Sequence, residues 1–139
     1  MNFRAAGKVR RERAGVAVTA LGLAAAAPSV WQTVTHITDE TYRAPEARHG
    51  AGHVQYHMAR ETLITAGALG AVVSGLAAGR RRSRATWRGM AVATAGFAGA
   101  MWSGGPTTGV WAPNRKALAV HVASTAGLTA GVLLLRPRR

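Results

Sequence analysis

Four apolar stretches divide this 139-residue chain: Gly15 to about Val34, Leu63 to Gly79, Ala85 to about Trp102, and Ala117 to Leu135. Short blocks of arginine and lysine stand between them, and only Arg88 interrupts the third. Each stretch approaches the ~20 residues with which a helix crosses ~30 Å of hydrocarbon. The pattern predicts an all-α, integral membrane four-helix bundle in one domain, with spans at about 14–35, 60–79, 85–103 and 116–135. The stretches are rich in Ala, Gly, Thr and Ser, which suits helices that lean on one another. Gly75/Gly79 and Gly127/Gly131 have the spacing of small residues that lets two backbones approach closely.

The formal net charge is +13 and the pI about 12.0. In a soluble domain such a balance points to nucleic acid, but here the cations alternate with apolar runs and no nucleic-acid partner is expected. Arg4, Lys8, Arg10, Arg11 and Arg13 precede the first run, Arg80, Arg81, Arg82, Arg84 and Arg88 lie around the middle connection, and Arg136, Arg138 and Arg139 end the chain. The other two connections hold only Arg43, Arg48, Arg60, Arg115 and Lys116. By the positive-inside rule both termini are cytoplasmic and the protein is a multi-pass protein of the cell membrane. The rival reading is a cleaved signal peptide over the first run, which would leave three spans. Against it, Val30, Trp31 and Val34 prolong the apolar character beyond Pro28. Trp31, Trp87, Trp102 and Trp111 fall near span ends, as in interfacial aromatic belts.

Chemistry-bearing side chains crowd into residues 36–61. His36, His49, His53 and His57 lie here with Asp39, Glu40, Glu46 and Glu61, leaving only His121 and Glu12 outside. Pro45 suits the first position of a helix and Glu46 its positive end, so an over-long second helix is expected to start near Glu46. On such a helix His49, His53, His57 and Glu61 form one stripe at steps of four. Two imidazoles at i and i+4 can reach one metal, which makes His49, His53 and His57 candidate ligands for a single transition metal ion. His121, inside the fourth span, is expected to face the bundle interior.

The same residues allow metal-free chemistry. A carboxyl half out of water keeps its proton more readily and serves as a general acid beside a histidine base. Asp39, Glu40, Glu46, His53, His57, Glu61 and His121 are the candidate catalytic set, with His53 and His57 as base or ligands and Glu46 or Glu61 as acid. A site facing an apolar interior suits isomerisation, cyclisation or oxidation of a lipophilic small molecule. The chain lacks a phosphate-binding loop, a nucleophile elbow and cysteine, which excludes kinase-like and ordinary serine-hydrolase chemistry.

Three alternatives remain open. A solvated interfacial helix would account for the histidines without a site. A small drug exporter has four helices of this length, but the first span here contains no acid. A haem-binding bundle would take two axial ligands from His36, His53, His57 and His121. The protein is thus expected to be a membrane enzyme or, alternatively, a non-catalytic accessory subunit or small transporter, with the bilayer as partner and homo-oligomers possible. The element Pro45-x-x-Arg48-His49-x-x-x-His53 after a first span, with three spans following, resembles the small four-helix anthrone-oxygenase-like and quinone-pathway membrane proteins. That resemblance implies tailoring of aromatic or polyketide-type molecules in a bacterial natural-product setting, and it carries no catalytic residue over.

Overall fold

The computed structural model describes the backbone of residues 3–137 and the side chains of residues 6–137. The side chain of Arg4 and the residues Arg138 and Arg139, all part of the charge alternation, lie outside the described residues. The chain is all-α. Helix α1 spans Phe3–Thr38, α2 His53–Ala77, α3 Arg84–Trp102, the short α4 Gly104–Thr108 and α5 Arg115–Leu134. Local chemistry sets several of these ends. The Ser83 hydroxyl accepts from Thr86 N at 3.0 Å to start α3, and Asn114 Oδ1 accepts from Ala117 N at 2.9 Å to start α5, each satisfying a backbone donor that has no intrahelical partner. Helix α1 runs through Pro28, with the Thr33 hydroxyl donating to the Ser29 carbonyl at 3.1 Å.

The second helix departs from expectation. It starts at His53 and not near Glu46, so His49 is not on it. Gly50, at φ +95°, occupies the left-handed region, and Gly52 is the cap without a side-chain acceptor. Two glycines in three residues add backbone entropy that a helix would have to remove, and they outweigh the Pro45–Glu46 start signal. The over-long helix is α1, whose 36 residues extend about 54 Å at the α-helical rise. Gly104–Thr108 forms a helical turn with Gly105 buried under the Trp111 ring.

Four long helices form the bundle, in the ring order α1–α2–α3–α5, and α5 closes against α1 in the most extensive contact of the fold. That contact rests on missing side chains. A Cβ on Gly22 would stand 2.5 Å from Leu128 N, one on Gly127 would stand 2.8 Å from Gly22 Cα, and Gly131 lies against Thr19. The Gly127/Gly131 pair therefore lets α1 and α5 touch backbone to backbone. The Gly75/Gly79 pair is divided between two tasks. Gly75 receives the Met90 side chain of α3, whereas Gly79, at φ +51°, turns the chain out of α2.

Large apolar side chains lie on the outside of the bundle as well as within it. Ala26, Val72, Met90, Phe97, Leu128, Val132 and Leu135 make a thin apolar core that also contains Thr19, Thr94, Ser124, Thr125 and Arg82. Leu21, Trp31, Leu63 and Val92 are 70%, 70%, 75% and 73% exposed. The Thr19, Ser124 and Thr125 hydroxyls donate back to the carbonyls of Gly15, Val120 and His121, which satisfies them without a second helix. Among the described residues two helices, α1 over Ala6–Thr38 and α5, are long and apolar enough to cross a membrane. Helices α2 and α3 fall short of that hydropathy: Arg60 and Glu61 sit in one, Arg84 and Arg88 in the other, and glycine and alanine fill much of both.

Candidate functional site

The crowded segment folds into two groups at the end of the bundle where α1 stops and α5 starts. The first borders a cavity of about 450 Å³. His36 from the last turn of α1, Glu61 from α2 and His121 from α5 line it, beside the apolar Pro28, Met101 and Val120. Asn114 and Lys116 lie at the same cavity. Residues 25, 60 and more positions apart in sequence thus share one chamber because three helices of the ring end there.

His121 is held from several sides. Its ring meets Trp102 edge-on, with centroids 5.6 Å apart and an interplanar angle of 85°. Trp102 Nε1 donates to the Thr125 hydroxyl at 3.2 Å, and that hydroxyl donates to the His121 carbonyl at 2.6 Å. One α5 turn therefore fixes the Trp102 ring against which His121 packs. The His121 Nδ1 atom is buried with no hydrogen-bond partner, an arrangement rare enough in proteins to call for a reason. His36 stacks on Tyr42, 3.8 Å between centroids at 27°. Tyr42 closes a 3-10 turn, Glu40–Tyr42, for which Asp39 is the cap.

Asp39 and Glu40 are engaged in that turn. Asp39 Oδ1 accepts from Thr41 N at 2.9 Å and from the Thr41 hydroxyl at 2.7 Å. The hydroxyl bond first, and the backbone bond next, hold the Asp39 carboxyl below its ordinary pKa by favouring the charged form. Glu40 pairs with Arg43 at 3.2 Å in the open, and Glu46 is exposed in the turns before α2. Gln55 reaches toward the Asp39 carbonyl through Nε2 at 3.5 Å, while its Oε1 is buried without a partner.

The second group is a ladder of rings outside the cavity wall. His49 and His53 have centroids 5.1 Å apart, His53 and His57 4.5 Å apart. The His53 and His57 Nε2 atoms stand 3.1 Å from each other, one donating to the other. Tyr56 borders His57 edge-on, and Arg60 lies over the Tyr56 ring. His49 and His57 are exposed and His53 half-buried. Glu61, the last member of the expected stripe, joins the cavity instead. Among the described residues no three His, Asp or Glu side chains converge as a metal-ligand set.

His36, outside the expected catalytic set, lines the cavity, as do Asn114 and Lys116, and Gln55 carries a buried unpartnered oxygen; none of these four has a spacing that marks it in the sequence. Trp102, expected in an interfacial belt, packs on His121. Its task beside His121 is visible in the sequence only as a tryptophan at the end of one apolar run and a histidine one turn into the next. Comparison with known protein families, with characterised proteins and with solved structures finds no match for this chain.

Proposed function

We propose that this chain is a multi-pass membrane protein, with both termini cytoplasmic, that moves protons on a lipophilic small molecule held between α1, α2, α3 and α5. One observation carries the reading: His36, Glu61 and His121, from three helices, border one partly apolar cavity. An imidazole removes a proton from the carbon next to a carbonyl and returns it at another carbon of the same molecule. The net result is isomerisation, or cyclisation where the carbanion attacks within the same molecule.

Membrane placement has separate support. Only 22% of the apolar stretch of α1 and 28% of that of α5 is buried, whereas the core helix of a soluble protein would be mostly covered. The exposed Leu, Ile, Val and Trp side chains need an apolar surrounding. The backbone contact of α1 with α5 favours a first helix that stays with the protein. With the arginine-rich end in the cytoplasm, the histidine cavity opens at the extracytoplasmic end.

The test is an organic extract of the purified protein, compared between wild type and a Val120→Trp variant that fills the cavity. A lipophilic compound enriched only by the wild type is expected. In deuterated water the wild type should exchange or convert that compound, and His121→Phe should not; identical extracts, or exchange undiminished in His121→Phe, would overturn the proposal.

The ring ladder supports a second reading, a single transition metal ion on His53 and His57. Two imidazoles bound tetrahedrally at 2.0–2.1 Å stand about 3.3 Å apart, close to the 3.1 Å found here. Zinc titration of wild type against His53→Ala and His57→Ala decides it, with binding expected to vanish in either variant. Equal binding by all three proteins would sink it.

A further inference from the structure

At the opposite end of the bundle a cavity of about 510 Å³ lies among the first turns of α1, the α2–α3 turn and the end of α5. Lys8, Arg11, Arg13, Arg80, Arg82 and Arg136 line it, against a single acid, Glu12. The positive-inside rule accounts for cations at this end of the protein but not for a shaped recess that gathers six of them.

Arg82 is the buried member, its side chain 3% exposed. Nε donates to the Gly75 carbonyl at 2.9 Å, and Nη1 donates to Glu12 Oε1 at 3.0 Å. Its Nη2 is buried with no partner. A guanidinium with two of its five N–H donors engaged, and so held in place, keeps the others for an oxyanion. Two neighbours are engaged elsewhere: Arg11 donates to the Leu133 carbonyl at 3.1 Å, and Arg136 lies over the Trp87 ring. Lys8, Arg13 and Arg80 form no ion pair among the described residues and are exposed. Leu134, Leu135 and Pro137 add an apolar side to the same recess.

We infer that this recess binds a phosphate group, with Arg82 as the buried donor and Lys8, Arg13 and Arg80 as the outer charges. Phosphate fits because it supplies several acceptor oxygens to a fork and a charge that three unpaired cations neutralise together. Two sources carry that group to a membrane surface, an anionic phospholipid head and free phosphate, and basic pockets between helices on the cytoplasmic side suit the first.

The experiment uses the full chain in phosphatidylcholine nanodiscs, with thermal unfolding and native mass spectrometry as readouts. One arm adds phosphatidylglycerol to the nanodiscs and the other adds inorganic phosphate. A retained lipid adduct and a raised unfolding temperature in the first arm alone identify the lipid head as the source. A rise in both arms identifies the phosphate group itself. The double variant Arg13→Gln/Arg80→Gln, which leaves the Arg82–Glu12 pair intact, should weaken retention at least tenfold with its unfolding temperature in phosphatidylcholine unchanged. Removing two charges at the other end, by Arg48→Gln/Arg115→Gln, should leave retention as in wild type. No response in either arm, or equal weakening by the two double variants, overturns the inference.

Discussion

Each end of the bundle buries an unpartnered nitrogen of an ionisable side chain, Arg82 Nη2 at one and His121 Nδ1 at the other, and the two side chains are treated differently. At the arginine end, Arg82 has two of its donors paired, one to a backbone carbonyl and one to Glu12. At the histidine end, His121 meets an aromatic edge and leaves Nδ1 without a partner. A guanidinium cannot shed its charge, so it is buried only with partners; a neutral imidazole leaves one ring nitrogen unpaired at a lower cost. One end is built around a permanent charge, the other around a contact between two aromatic rings.

The sharpest break in this comparison comes from the contact that both ends share. Gly22→Val places carbon atoms against the α5 backbone and should cost about 3 kcal/mol or more; thermal unfolding should then show both ends lost in one step. Next is the arginine end alone. Glu12→Gln leaves Arg82 without its counter-charge and should destabilise by about 2 kcal/mol, below the usual loss for a buried pair because Glu12 is 31% exposed. Arg82→Met added to it should recover part of that loss in a double-mutant cycle, and a strictly additive cycle would remove the pairing.

His121→Phe should do the reverse. It keeps the edge contact with Trp102 and deletes the unpaired nitrogen, so stability should be unchanged or raised by up to about 1 kcal/mol while proton exchange disappears. A large destabilisation would show that the histidine holds the fold. The smallest effect is that of Asp39→Asn. Because the folded Asp39 carboxyl sits below its ordinary pKa, its contribution is present above the unfolded value and fades as pH falls through the folded one. Wild type and variant should differ slightly at neutral pH and converge in acid, as read by melting curves.

Much of the fold was legible because hydropathy and charge act locally. The runs ending near Val34, Gly79, Trp102 and Leu135 map onto α1, α2, α3 and α5, and Gly127/Gly131 pack as their spacing suggests. The start of α2 was misread because Pro45 and Glu46 are local helix signals, whereas the glycines after them act by entropy over several residues. The site was only half legible. Spacing by four groups Glu61 with His57 on one helix, yet Glu61 shares its cavity with His36 and His121. Arg82 gave no sign of its burial among the arginines around it.

Sequence by itself determined the all-α architecture, the excess of arginines in alternate connections and the gathering of four histidines in one of the others, and the small residues that let helices touch. Those follow from which side chains tolerate water and which leave room for a backbone. Only the tertiary structure decided which ionisable groups meet. It set Arg82 on Glu12 and Gly75, and it put His121 beside Trp102 and in the cavity of His36 and Glu61. Which groups converge depends on how helices close into a ring and how each is rotated, and those are properties of packing between elements that no single segment contains.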